Sequence, residues 1–307
     1  SKSQLLNSDD TALLNYNDSG TADDAILFLV PKFSQGGWSD YRSVRISWGF
    51  NIKALITKNM LFFVTGEVNL IVPIDDDEFL IKFLRPTKYH AESAFKKVSA
   101  NFTTVLDYCQ DLYPSAVRLA FDHSIVSILS PRDQHGRRIM FVESGERWNP
   151  RQVPVWEVFR GVQLGLESLM MEPRTQVCGV SVILELQGYS FNHIMQLTPS
   201  FAKMAADWIQ DCIPFRLKEV HIVNQPYIFN IMYAIFKPFL RDKLRSRIFF
   251  HGTDRMSLLK HIDGDALMQR IGGSLPEDGI SGEVMWKMMH HYEERAASYG
   301  YVTNNHA

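Results

Sequence analysis

With 307 residues, 46% of them apolar, the chain has material for a sizeable core and length for about two domains. Its 32 Lys and Arg stand against 34 Asp and Glu, a net charge of −2 that excludes whole-molecule attraction to nucleic acid and leaves any electrostatic partner to a local patch. Three cysteines, Cys109, Cys178 and Cys212, are too few and too scattered for a disulfide framework or a CxxC metal knuckle, and read as free, mostly buried thiols of a reducing compartment.

Residues 1–24 are rich in Ser, Asn and Asp and show no basic stretch followed by the apolar run of a secretory signal, so the default location is the cytoplasm. The stretches AILFLVPKF, SVRISWGFNIKALIT and MLFFVTGEVNLIV have the look of strands, yet residues 1–72 as a whole read as a poorly ordered or divergent segment. From Asp75 the pattern turns helical. Acidic residues suit a helix N-terminus, Phe79, Leu80, Phe83 and Leu84 make an apolar stripe, and Pro86 ends it; a second helix follows with Ala94, Phe95 and Val98 inward. Residues 73–115 thus form a small helical lobe.

After Pro114 short strands alternate with longer amphipathic helices. Strands are predicted at Ile125–Leu129, Arg138–Val142, Gly179–Leu186, Glu219–Val223 and Ile248–His251, with helices near 153–172, 192–212 and 226–245. This alternation implies an α/β domain over 116–275, built on a parallel or mixed sheet. In the tail, 276–307, a helix over Ser281–Gly300 sets Val284, Met285, Met288 and Met289 on one side.

The segment QPYIFNIMYAIFKPFLRDKLRSR at 225–247 is apolar on nearly every face and then basic. Ile228, Met232, Ile235 and Phe239 follow one helical face, and Phe229, Tyr233, Phe236 and Leu240 a second, so one face packs on the core while the other must meet a partner, a bilayer or a bound lipid. The 17 residues from Val220 to Phe236 lack Lys, Arg, Asp and Glu, but fall short of the ~20 that a membrane span needs. Lys237, Arg241, Lys243, Arg245 and Arg247 oppose Asp242 alone, with Arg216 and Lys218 on a nearby segment.

Catalytic motifs are missing: no GxGxxG, GxxxxGK[ST], GxSxG or HExxH occurs, so no enzyme is expected and no catalytic residue is assigned. His290 and His291 point to different helix faces and the other histidines lack ligand spacing, so no metal site is expected. His251, after a predicted strand, reads as a hydrogen-bonded structural residue rather than a cleft residue, and Glu185 as a strand-end acid capping a neighbouring turn.

ILELQGYS at 183–190, LTPSFAK at 197–203, VNQP at 223–226, FKPFLRDKLRSRIFFHG at 236–252 and IGG at 271–273 together resemble the CRAL-TRIO lipid-binding family, over about Glu67 to Gly273. Within it the chain is most similar to the animal branch that holds the α-tocopherol transfer protein, the cellular retinaldehyde-binding protein and the clavesins. The resemblance implies a helical lobe followed by a CRAL-TRIO domain, whose mixed, mostly parallel sheet floors an apolar cavity closed by a mobile gate helix, here 226–240. It implies a cytosolic carrier that binds one hydrophobic lipid (retinoid, tocopherol or similar), needs no other cofactor, and exchanges its cargo at phosphoinositide-containing membranes. Gate positions matching Phe191, Met195, Ile228, Met232 and Ile235 would face the bilayer, and positions matching Arg216, Lys218, Lys243 and Arg247 would bind the headgroup.

The chain departs from the family pattern in having Glu185 where Asp is usual, and Arg270 and Ile271 where an acidic residue and an aromatic precede the final Gly-Gly. Two other function classes stay open: a lipid-sensing adaptor that recruits a protein partner, and a small-molecule enzyme on the same sheet.

Overall fold

The computed structural model describes residues 76–105, 112, 114–277, 282–290 and 293. The expectations for residues 1–72, for Cys109 and for most of the tail lie outside these.

Helix α1 (Asp77–Leu84) starts where Asp76 caps it, its Oδ1 accepting from the Glu78 and Phe79 amides at 2.9 and 3.1 Å. The stripe Phe79, Leu80, Phe83 and Leu84 is buried throughout, as are Ala94 and Val98 of α2 (Ala91–Val105). These side chains join the core cluster that continues under the helical face of the sheet. Buried Lys82 pairs with Glu167 of α4 (Val155–Leu169) at 3.6 Å, and Arg85 hydrogen-bonds Gln176 of α5 (Pro173–Cys178). A short helix, α3 (Leu119–Asp122), leads into the sheet.

Five strands, β1 (Val126–Arg132), β2 (Arg138–Glu143), β3 (Val180–Glu185), β4 (Leu217–Val223) and β5 (Ile248–Gly252), lie side by side in chain order. β1 runs antiparallel to β2, and the other three pairings are parallel. Because crossovers between parallel strands are right-handed, a sheet that grows in one direction puts its crossover helices on one face. The core divides accordingly. Met140, Val142, Val220 and Ile222 pack with helical residues such as Val158 and Leu164, whereas Ile139, Phe141, Ile183 and Val223 pack with Leu258, Ile262, Leu267 and Ile271 from the chain after β5. The front face thus belongs to the helices between strands, and the rear face to the segment that follows the sheet.

The five strands match the predicted ones within a few residues; two of the helices do not. The helix expected over 192–212 is split into α6 (Phe191–Ile194) and α7 (Pro199–Asp207), the latter running into a π-helical turn at Trp208–Cys212. Thr198 is extended, as a residue before proline must be, and its hydroxyl caps α7 by accepting from the Phe201 amide. The helix expected over 226–245 is α8 (Phe229–Phe236), then a 3₁₀ turn at Lys237–Phe239, an extended Leu240 and α9 (Asp242–Arg245). Pro238 has no amide proton for the helical ladder and its ring crowds the preceding turn, so the helix stops there.

After β5, α10 (Arg255–Leu259) and two 3₁₀ turns cover the rear face. The second turn ends at Gly272, whose φ of +99° is left-handed, and a Cβ on Gly273 would fall 1.9 Å from the Leu267 carbonyl oxygen. Arg270, the residue that departs from the family pattern, holds this turn by pairing with Glu143 at 2.7 Å and Glu277 at 2.8 Å. Helix α11 (Gly282–His290) buries Met285 and Met289, and Trp286 donates to the Pro114 carbonyl at 3.1 Å.

Candidate functional site

The VNQP motif fixes the start of α8. Asn224 is left-handed, with φ +55°; its amide nitrogen donates to Glu185 Oε1 at 2.9 Å and its carbonyl oxygen accepts from Arg255 at the same distance. Gln225 accepts from the Gly252 amide at 3.0 Å. Glu185 also accepts from the Gln187 amide, so it is the turn cap expected from its strand-end position. His251, likewise, is a buried residue hydrogen-bonded to His221 and Ser257 rather than a free cleft group.

α8 packs on α7 and meets the sheet through β5, where Tyr233 and Phe229 approach the Phe250 ring at 5.0 and 6.0 Å. The middle strand beneath carries the informative detail. Val182 and Leu184 project from β3 to the helical face, and both keep some exposed surface although strands flank them on both sides. Apolar side chains at the centre of a close-packed layer have no accessible surface. Partial exposure of Phe201, Met204 and Ile209 of α7 and its π-helical continuation, and of Met232, Ile235 and Phe236 of α8, repeats the pattern. The front face is incompletely filled, and its lining is hydrocarbon and aromatic.

The predicted apolar surface residues divide. Phe191 and Met195 stand 56% and 66% exposed, while Ile228, Met232 and Ile235 are half-buried against the core. The exposed large apolar side chains of the α8 segment are Tyr227, at 91%, and Ile231, at 50%. Helical periodicity separates the faces of a helix but does not say which one turns outward.

The predicted basic residues fall into two groups: Arg216, Lys218 and Arg247 lie near one another, while Lys243 neighbours Lys97. Burial lowers the Lys218 pKa, and the neighbouring charges of Arg137, Arg216 and Arg247 lower it further, so these cations crowd one another. Burial also lowers Lys97, which feels Lys243 and Arg241. Among the described residues, Arg216, Lys218, Lys243 and Arg247 have no carboxylate within ion-pair distance, whereas Arg241 is paired with Asp211 at 2.5 Å and Arg245 with Asp242. Arg216 donates to the Val177 and Arg85 carbonyls and Arg247 to that of Leu217, contacts that orient the guanidinium groups without neutralising them.

A mostly parallel sheet in chain order, with a partly uncovered apolar front face and an apolar helix packed over it, defines an α/β domain whose helical face is lined by hydrocarbon and aromatic side chains. Residues 122–273 match the CRAL/TRIO domain model. The chain is 34% identical over 206 residues to Clavesin-1 of Rattus norvegicus and of Xenopus laevis, covering 66% of this chain and 58% and 62% of those proteins. It is 29% identical over 228 residues to Clavesin-2 of Homo sapiens, covering 71% of this chain and 68% of that one. The chain belongs to the CRAL/TRIO domain family, and it spans less than two thirds of the length of these clavesin-1 relatives. A crystal structure of Sfh5 superposes with a TM-score of 0.44 at 12% identity, covering 76% of this chain and 85% of that one, a likeness too low to argue from. No helix among the described residues is long and apolar enough to cross a membrane.

Proposed function

We propose that the chain is a non-enzymatic carrier that holds one hydrophobic lipid between the sheet and α8, and exchanges it at an anionic, phosphoinositide-containing membrane surface. The partial exposure of Val182 and Leu184 at the centre of the sheet carries the reading, because it leaves part of an apolar wall uncovered. A lipid presenting ~500 Å² of apolar surface gains on the order of 12 kcal/mol on leaving water, before the costs of ordering it. Opening α8 in water exposes large apolar side chains at roughly 2 kcal/mol each, so the free protein stays shut. At a bilayer the same side chains enter the acyl boundary, and each basic residue near the anionic surface contributes ~1 kcal/mol. Phe191 and Met195, with Tyr227 and Ile231, supply the docking surface; Arg216, Lys218, Lys243 and Arg247 receive the headgroup phosphates.

The test is lipid transfer between vesicles with and without phosphoinositide, after native mass spectrometry has identified the lipid that co-purifies. Transfer by the natural chain is expected to rise with phosphoinositide, and transfer by a Lys243→Ala/Arg247→Ala variant is not. Equal rates for the two proteins would refute headgroup-triggered exchange, and a purified protein with no lipid and no uptake would refute the carrier itself.

A further inference from the structure

The rear face of the sheet carries a polar group that lipid carriage does not use. His221 of β4, His251 of β5 and His261 after α10 bring three imidazoles together, with ring centroids 5.1 to 5.6 Å apart. Strand alternation sets Glu219 on the same face as His221. His221 has no accessible surface, and its Nε2 makes no hydrogen bond. Oε2 of Glu219 makes none either, although it lies 3.3 Å from that nitrogen. The same oxygen is 3.8 Å from His261 Nδ1, and the three atoms fall within 4.8 Å of one another.

Buried polar atoms are rarely left without a partner, so two facing each other need a physical reason. Zinc bonds of ~2.0–2.2 Å to histidine and carboxylate put tetrahedral ligand atoms about 3.3–3.5 Å apart, close to two of the spacings seen here. The surroundings fit as well. His221 Nδ1 lies 3.0 Å from His251 Nε2, and His251 Nδ1 lies 2.9 Å from Ser257 Oγ. When Nδ1 of His221 donates along this chain, its Nε2 keeps a lone pair directed to the Glu219 side, the arrangement in which outer partners orient a metal-binding imidazole. One cation competes: Arg137 Nη1 is 3.0 Å from the same Glu219 oxygen, and its Nε is 3.7 Å from Asp133.

We propose that Glu219, His221 and His261 form a site for one divalent transition-metal ion, which shares or displaces the Arg137 contact. Two imidazole nitrogens and one carboxylate oxygen suit Zn²⁺ and disfavour Ca²⁺ and Mg²⁺, which take oxygen ligands. Glu219 and His261 are partly exposed, so the ion has an entry path and a fourth position for water. Bound there, it ties β4 to the turn after α10 and clips the rear layer onto the sheet.

The full chain, stripped with a chelator, is titrated with Co²⁺ while the visible absorption of tetrahedral Co²⁺ is followed, and the ion is then displaced by Zn²⁺. One equivalent is expected to bind, and Zn²⁺ to raise the melting temperature. His261→Asn and Glu219→Gln, both at partly exposed positions, are each expected to weaken binding by at least tenfold and to cancel the thermal shift, since loss of even an outer partner costs about 10- to 100-fold. His90→Asn, in the exposed turn between α1 and α2, is the control and should bind as the natural chain does. Absence of saturable binding, or one-equivalent binding that persists unchanged in both variants, would overturn the proposal.

Discussion

Gln210 and Arg241 join across the break that ends the apolar roof. The Gln210 carbonyl accepts from the Arg241 amide at 2.8 Å, and the Gln210 amide group donates to Phe239 at 3.1 Å and to Ala206 at 3.0 Å. The Arg241 guanidinium closes the arrangement on Asp211 with two bonds of 2.6 and 2.5 Å. The π-helical turn Trp208–Cys212 therefore grips both sides of extended Leu240, where α8 must pivot if it opens. Gln210→Leu removes the two hydrogen bonds that span the pivot, to Arg241 and Phe239, each worth about 1 kcal/mol. We expect faster lipid release from this variant with a melting temperature several degrees lower, read by dilution of a fluorescent lipid and by scanning calorimetry; unchanged release would show that α8 does not turn at this point.

Exposure separates two groups of apolar residues that share one segment. Tyr227→Ser and Ile231→Ser should weaken vesicle binding by about five- to thirtyfold each, the effect of ~1–2 kcal/mol of apolar burial, while leaving lipid content intact. Met232→Ser and Ile235→Ser, at half-buried positions, should do the reverse. Vesicle sedimentation and native mass spectrometry on the same four proteins distinguish the groups, and identical profiles would contradict the assignment.

Pairing makes the basic residues unequal. Among the described residues, Lys243 and Lys218 have no carboxylate within ion-pair distance, whereas Arg245 has Asp242. Lys243→Ala should reduce binding to phosphoinositide vesicles about fivefold and flatten its salt dependence, whereas Arg245→Ala should change little. Binding isotherms at two ionic strengths check this.

Glu172 lies between Arg132 at 2.6 Å and Arg138 at 2.7 Å, tying the start of α5 to β1 and β2. Burial alone raises its pKa, but the hydrogen bonds and charge of Arg138, with help from Arg132 and Thr175, outweigh that and hold it below the usual 4.5. A carboxyl depressed in the folded state contributes stability above its unfolded pKa and loses it as pH falls through the folded one. Glu172→Gln should therefore be less stable than the natural chain at pH 7, with the gap narrowing below about pH 4.5. Urea midpoints from pH 7 to pH 3 measure it; a gap independent of pH would mean that the ion pairs contribute nothing.

Much of the architecture is legible in the sequence because its signals are local. The stripe Phe79, Leu80, Phe83 and Leu84, and the alternating strands after Pro114, state their own burial. Local signals also mark the two helix breaks at Pro199 and Pro238, yet a strong apolar period masks them. What stays illegible is relational. Nothing in the text of residues 226–236 tells which side faces outward, so the exposed pair Tyr227 and Ile231 passes unnoticed while Ile228, Met232 and Ile235 stand out. The uncompensated state of Lys218 and Lys243 depends on where Asp211 and Asp242 point. The histidines follow the same rule: positions 221, 251 and 261 have no ligand spacing in sequence and meet only through the pairing of β4 with β5 and the return of the chain after α10.

β4 separates these two worlds by parity alone. Val220 and Ile222 serve the greasy side and Glu219, His221 and Val223 the other. Substitutions along it act one at a time and can be tolerated singly. Deleting a single residue at its midpoint exchanges the sides for everything downstream, turning polar and imidazole side chains toward the apolar helical face. In this strand, length is under stricter constraint than identity.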